Sequence, residues 1–438
     1  MSEIEEGDDY TSYDSVHYDV VSYLHHGQYN SVIIQLHTNI LKGLNILDAY
    51  DPPPYYTQWT TLAQLIGRNT YIEYFQFSND GEDEEGFAIH LETFLSDIAK
   101  NRSLKLLLLE EHDFSNRTRL GVLHPFVIEN DNLAKFSLSS CNFGTHDLQM
   151  LAAAFSQRRN PASIKVLDIS GDNIVDESVP VIIDICGYCP RLQKLDLGHS
   201  RFGIQGVRTL AILLANPECK LRCLRLDGNN AVDDDAAEIL ANSLVNNNKL
   251  ETLRLKSYDC NIATRGWEHF LGILRGTSNI NATSSSNHTL CSLWDTTFGT
   301  PNDLPTDLEY CLHLNKEKDK KNVIRRKIIK FHLNTVNLSS VIGTDQEILP
   351  NLLGWIGKDN ANENRIIRSR SRTAFYRIIR NFPDLCGFET YDRKVRRQLE
   401  AEVASLKAEN ATIKSEVVTL KTENEELRRK VEQLAMGK

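Results

Sequence analysis

Residues 132–143 read NLAKFSLSSCNF, with Leu133, Phe136 and Leu138 at the spacing L-x-x-L-x-L, followed by Cys141 and Phe143. The spacing returns at Ile164, Leu167 and Ile169, ahead of Asp172 and Ile174, and at Leu192, Leu195 and Leu197, ahead of Ser200 and Phe202. Leu221, Leu224 and Leu226 repeat it before Asn229 and Ala231, and Leu250, Leu253 and Leu255 close the clean set. The starts at 133, 164, 192, 221 and 250 lie 31, 28, 29 and 29 residues apart. Such a period marks stacked supersecondary repeats, none of which can bury its apolar side alone. The second half of each repeat carries helical spacing: Leu148, Leu151, Ala152 and Phe155; Val179, Ile182, Ile183 and Cys186; Val207, Leu210, Ala211 and Leu214; Trp267, Phe270, Leu271 and Leu274. The pattern predicts an α/β solenoid, with a parallel sheet inside and helices outside.

This combination resembles the ribonuclease-inhibitor-like subclass of leucine-rich repeats, whose consensus has Asn or Cys where Cys141 and Asn229 stand. Asp172 and Ser200 depart from that consensus, yet both can hydrogen-bond turn backbone. Weaker copies precede the clean set at Leu41, Leu44 and Ile46, at Ile72, Phe75 and Phe77, and at Leu104, Leu107 and Leu109, which predicts eight strands between Leu41 and Leu255. Trp59, Leu62, Leu65 and Ile66 predict a helix after a turn at Pro52–Tyr56, and another helix follows the acidic loop Asp80–Glu85. Beyond Leu274 the pattern loosens: Asn279–His288 reads as an exposed loop, and Leu290 and Leu293 as a degenerate ninth strand before Trp294.

Four segments follow. Residues 1–30 carry seven acids, five tyrosines and no Lys or Arg, and read as an acidic, Tyr-rich tail. Residues 31–300 hold the solenoid, residues 301–390 a helical C-terminal cap with basic stretches, and residues 391–438 a long coiled-coil helix. RRKIIKFHL, LPNLLGWIG and FYRIIRNFPDL within residues 320–386 resemble a helical segment that follows such arrays in leucine-rich-repeat proteins of unicellular algae, which implies the cap.

In the last segment Leu399, Leu406, Ile413, Leu420, Leu427 and Leu434 fall on heptad d positions, and Val403, Asn410, Val417, Asn424 and Val431 on a positions. Val at a with Leu at d favours two parallel strands, and Asn at a fixes register at some cost in stability. Glu402, Glu409, Glu416 and Glu423 at g would meet Lys407, Lys414, Lys421 and Arg428 at e of an identical partner, so every such pair attracts. A parallel homodimer is predicted. The zipper is similar to that of basic-leucine-zipper factors, and Arg365 to Arg380 and Arg393 to Arg397 supply basic residues. Such proteins need one continuous helix from basic region to zipper, whereas Pro383 and Gly387 interrupt it and the Asn…Ala…Arg signature is missing. The sequence therefore disfavours DNA binding.

The 438 residues carry a net charge of −10 and 41% hydrophobic residues. That balance argues against general nucleic-acid binding. No run of eighteen apolar residues suggests a membrane span, and the acidic N-terminus reads as neither a secretory nor a transit peptide. Nine irregularly spaced cysteines predict no disulfide framework, and the lone C-x-x-C at Cys186 and Cys189 reads as core. The expected location is intracellular, cytoplasmic or nuclear, where the sequons at Asn281, Asn287 and Asn337 would stay unused.

No P-loop, G-x-S-x-G, H-E-x-x-H or paired C-x-x-C is present, and His112, His124 and His146 are scattered over repeat turns. The sequence predicts no catalysis, metal or cofactor. The x positions of each strand point to the concave face by strand alternation. There Lys135, Asp168, Lys194, Asp196, Arg225, Asp227, Arg254 and Lys256 form the expected partner-binding surface, though the same side chains would also suit an ordinary solvated sheet face. The reading is a protein-protein interaction scaffold that homodimerises. One alternative is a small-GTPase regulator, because Ran GTPase-activating proteins are similar solenoids, but their acidic tail is C-terminal and this one is N-terminal. The other is the zipper-type DNA-binding protein.

Overall fold

The computed structural model describes residues 21–23, 29–47, 56–78, 91–114, 120–171, 173–255, 262–294, 304–333 and 393–436. The chain forms two compact units, Met1–Arg275 with Ser286–Lys320, and Gly276–Ser285 with Lys321–Lys438.

Among the described residues, the first unit is built on one parallel sheet of nine strands in sequence order. They are β1 (Val21–Tyr23), β2 (Gly43–Leu47), β3 (Tyr74–Ser78), β4 (Leu106–Glu110), β5 (Lys135–Ser139), β6 (Val166–Asp168), β7 (Lys194–Asp196), β8 (Cys223–Arg225) and β9 (Thr252–Arg254). Helices α1 (Tyr29–His37), α2 (Tyr56–Arg68), α3 (Leu91–Ile98), α4 (His124–Glu129), α5 (Thr145–Ser156), α6 (Ser178–Tyr188), α7 (Ile204–Ala215), α8 (Asp234–Ser243) and α9 (Thr264–Arg275) alternate with the strands. This is an α/β leucine-rich-repeat solenoid. All eight strands expected between Leu41 and Leu255 are present. β1 is an additional one, lying within the segment read as a tail. Ser292 bridges to Thr252, where the degenerate strand was expected.

Register explains the core. The second leucine of each repeat pairs across the sheet, from Leu44 through Phe75, Leu107, Phe136, Leu167, Leu195 and Leu224 to Leu253. All eight are fully buried. Rings from strand and helix meet inside, as in Phe136–Phe155 at 6.1 Å and Trp59–Phe77 at 5.7 Å between centroids. Val207, Leu210, Ala211 and Leu214 are all buried, as are Trp267, Phe270, Leu271 and Leu274. Two helices differ from expectation. α6 buries Val179, Ile182 and Ile185 and leaves Ile183 and Cys186 half-buried, while α5 turns Ala154 inward in place of Ala152. The i, i+3, i+4 pattern fits more than one rotation of a helix so rich in apolar residues.

Turns repeat as faithfully as strands. The residue seven after the first leucine has a left-handed backbone in each central repeat: Glu111, Ser140, Gly171, His199 and Gly228. A Cβ on Gly171 would stand 2.2 Å from Ser140 Oγ, and one on Gly228 2.3 Å from His199 Nδ1, so glycine lets a larger side chain in the preceding repeat lie across the turn. The next position satisfies strand carbonyls. Asn229 Nδ2 donates to Leu197 O (2.9 Å) and Leu226 O (2.8 Å), and Cys141 Sγ to Leu109 O (3.4 Å). His112 takes this place in its repeat, with Nε2 3.1 Å from Phe77 O. Asp172 lies outside the described residues.

An asparagine ladder runs along the opposite corner, three residues before the first leucine of the repeat. Asn101 Nδ2 donates to Ile66 O (2.7 Å) and Asn69 O (2.8 Å), while its Oδ1 accepts from Ser103 N (2.8 Å) and Leu104 N (2.9 Å). Asn247 and Asn287 repeat this arrangement. Pro161 falls where the ladder would continue. There Arg158 donates instead to Asn130 O (2.6 Å) and Ser163 Oγ (2.7 Å). Asp176 caps the next repeat's helix, its Oδ1 accepting from Gly203 N and Gly206 N, both at 2.7 Å.

Asn279–His288 is not the expected exposed loop. Asn279 caps a short helix α10 (Ile280–Ser284), its Oδ1 accepting from Ala282 N at 2.8 Å, and Asn287 is a buried ladder member. Asn and Ser residues read as loop formers are equally good caps and corner braces. Helix α11 (Thr306–Asn315) packs on α9, so the repeat architecture runs beyond residue 300.

The second unit holds α10, all but the first residue of α12 (Lys320–Ile328), which continues as a π-helical segment, Ile329–Leu333, and the long helix α13 (Arg393–Met436). α12 buries Val323 and Ile328, and also Lys327, which is fully buried rather than part of a solvated basic face. The stretches LPNLLGWIG and FYRIIRNFPDL of the expected helical cap lie outside the described residues. The 44 residues of α13 span about 66 Å. Its described a and d positions differ in how far they meet water. Val403 and Leu406 are half-buried, and Ile413, Val417 and Leu420 are 36%, 45% and 58% exposed. Among the described residues, no helix is long and apolar enough to cross a membrane.

Candidate functional site

The sheet face turned away from the helices is organised into rows by strand register. One row runs Tyr74, Leu106, Lys135, Val166, Lys194, Cys223, Thr252. The next runs Gln76, Leu108, Ser137, Asp168, Asp196, Arg225, Arg254. Asp227, two residues beyond Arg225, stands past the end of β8. Seven of the eight expected site residues are thereby brought to one face, and Lys256 lies outside the described residues.

Alternation assigned the face but not the depth. Asp196 and Asp227 are 3% and 4% exposed and Lys194 is 7% exposed, so these three are not an open charged surface. Arg225 holds the acids: Nη1 is 3.0 Å from Asp196 Oδ2 and Nε 3.4 Å from Asp227 Oδ1. Asp168 is braced on the other side by Ser137 Oγ (3.1 Å), Ser170 Oγ (2.7 Å) and Ser170 N (3.1 Å). Lys135, Asp168, Arg225 and Arg254 remain partly exposed, and these a ligand can reach.

Burial pushes the Asp196 carboxyl up to about 6, helped by the neighbouring Asp168 carboxylate. The Arg225 guanidinium, the Gly198 N–H (3.1 Å) and Lys194 pull it the other way. Burial acts to lower the affinity of Arg225 for its proton, but Asp196 and Asp227 outweigh it and the guanidinium is held more firmly charged than usual. One cation ties two acids together in partly desolvated surroundings, and removing Arg225 would leave both carboxylates uncompensated.

A second polar group, which sequence reasoning missed, occupies the N-terminal half of the same face. Tyr74 Oη donates to Gln76 Oε1, Gln76 Nε2 donates to Glu110 Oε2 (3.1 Å), and Ser78 Oγ reaches the same oxygen at 3.3 Å. The signal was present, since these residues hold the same x positions in the less regular repeats. Around them Leu106 and Leu108 are buried on this face. No group of three or more His, Cys, Asp or Glu side chains able to hold a metal ion occurs among the described residues. Burial raises both thiols of the C-x-x-C, Cys189 to about 12, which keeps them protonated.

No family model matches the chain. Over 196 residues the chain is 26% identical to NACHT, LRR and PYD domains-containing protein 5 of Mus musculus, a match covering 44% of this chain and 16% of that protein. Over 135 residues it is 27% identical to NACHT, LRR and PYD domains-containing protein 9C of Mus musculus, covering 31% of this chain and 13% of the relative. This chain carries a leucine-rich-repeat array. It thus spans well under a fifth of these relatives, and the leucine-rich-repeat character is what the likeness supports. Among solved structures, an internalin of Listeria monocytogenes overlaps 59% of this repeat protein and 75% of its own chain, with a TM-score of 0.26 and 13% identity.

Proposed function

We propose that this protein is a non-enzymatic interaction scaffold inside the cell, which binds a protein partner on its sheet face and homodimerises through α13. The repeats are read as ribonuclease-inhibitor-like, because each of the central ones carries a full helix and Cys141 and Asn229 stand at the Asn/Cys position. The observation that carries the binding role is the partly exposed set Lys135, Asp168, Arg225 and Arg254 around the Asp196–Arg225–Asp227 unit. Charges fixed in advance lose little freedom on binding, and opposite signs one strand apart select a partner of matching pattern. The dimer rests on the a and d stripe of α13, exposed at Ile413, Val417 and Leu420, with Asn410 and Asn424 at a and attractive g–e pairs. Leu399, Leu427, Val431 and Leu434 complete the heptads in sequence.

Two faces on one dimer would raise the effective concentration at a clustered target, so that modest single-face affinity suffices. Charge reversal at the reachable positions, Asp168→Lys with Arg254→Glu, tests the site. Quantitative cross-linking in cells is expected to lose a defined set of partners from the variant while its unfolding temperature stays close to that of the parent. An unchanged partner set would contradict the assignment.

A further inference from the structure

Among the described residues the sheet ends at Cys291–Trp294, and not every backbone group of this last strand is paired. Cys291 N and Ser292 N donate to Glu251 O (2.8 and 3.2 Å), and Leu253 N and Leu255 N donate to Ser292 O (2.9 Å) and Leu293 O (3.1 Å). In a parallel ladder the remaining groups of this strand, Leu293 N–H and Cys291 C=O, face outward. They have no partner among the described residues. Alongside this edge lies a cleft of about 520 Å³, walled by Cys291, Ser292 and Trp294 and by Thr306, Tyr310 and His313 of α11.

Asn315 marks where a further strand would enter. It is 2% exposed, and its Nδ2 donates to Asn287 O (3.2 Å) and Leu290 O (2.7 Å), as a member of the corner ladder. In Asn69, Asn101, Asn247 and Asn287 the side-chain oxygen accepts two backbone N–H groups at the start of the following strand. The Asn315 Oδ1 is buried and accepts nothing. An unsatisfied buried acceptor carries a desolvation cost that an incoming donor removes. Lys320 Nζ sits at this end, 2.6 Å from Asn315 O, and Lys316 and Lys320 both act electrostatically on Cys291.

We infer that this edge binds an extended segment of a partner protein as a further parallel strand beyond Cys291–Trp294, with an acidic residue entering beside Lys316 and Lys320 and a large apolar side chain filling the cleft next to Trp294. Backbone pairing to an open edge gives affinity, and the alternate side chains give specificity. The inference stands apart from the sheet-face proposal, since it uses none of the same residues.

The probe is a synthetic peptide copying residues 130–138, NDNLAKFSL, which has the array's own strand pattern and an acid ahead of its first leucine. Titrated against the full chain, it is expected to bind and to slow hydrogen exchange at the Leu293 amide. Methylating alternate peptide amides should abolish binding. Lys316→Glu should weaken it about tenfold, roughly 1.4 kcal/mol, and a peptide with lysine in place of its aspartate should recover that loss. Equal binding of the methylated peptide would overturn the inference. So would absent binding, including the case where the Leu293 amide is already protected in the free chain because a second copy or another segment occupies the edge.

Discussion

Two leucine patterns run through this chain, one in the array and one in α13, and they meet water in opposite ways. In the array, Leu167, Leu195, Leu224 and Leu253 are fully buried, each in register with the next. In α13, Val417 and Leu420 are about half exposed although their heptad spacing is just as regular. A period near 29 residues returns the chain to its own neighbour, so every repeat finds its partner within one molecule. A period of seven along one straight helix offers its stripe to nothing in the same helix, and burial then requires a second helix. The regularity of an apolar pattern tells how it packs. Its period tells which kind of neighbour it needs, a stacked repeat or a second helix.

Leu195→Ala breaks the comparison on the array side and should have the largest effect. Opening a cavity in a row of stacked leucines is expected to cost about 3 kcal/mol, measured by denaturant unfolding. Leu420→Ala should leave that same transition unmoved. Acidification sharpens the contrast within the array. Burial pushes the His112 ring down to about 4, so the unfolded chain takes up a proton below about pH 6.5 that the native ring refuses. Stability present above that pH is lost as pH falls toward 4, by about 3 kcal/mol. Asp196 acts in the opposite sense, because the native carboxyl accepts its proton near 6 and the unfolded one only near 3.8. The two contributions offset each other between pH 6 and 4. His112→Asn should therefore make the protein gain stability on acidification, and Asp196→Asn should make it lose stability more steeply. Thermal unfolding across that range checks both. The smallest effect is expected from Asp176→Ala, which removes the cap of α7 and should cost about 1 kcal/mol.

Strand positions, period and sheet face were legible in the sequence because they depend on residue type at fixed spacing. The burial of Lys194, Asp196 and Asp227 was not, since alternation says which side a residue occupies and nothing about what surrounds it. The corner ladder left a signal that went unread: Asn69, Asn101, Asn130, Asn247 and Asn287 each precede the first leucine of a repeat by three residues. His112 likewise sits eight residues after Leu104, where Cys141 and Asn229 sit in their own repeats. It looked scattered only because histidine is not the usual occupant. β1 escaped notice because its three residues, Val21–Tyr23, are too few to show a period. Asn279–His288 misled because capping and looping favour the same residues.

Solution mass tests the scaffold account most directly. Multi-angle light scattering would be run on the full chain and on a chain ending at residue 392, just before α13. The account requires twice the chain mass for the first and a single chain mass for the second. A monomer in both cases would contradict self-pairing through α13, and with it the bivalent capture on which the proposed function depends.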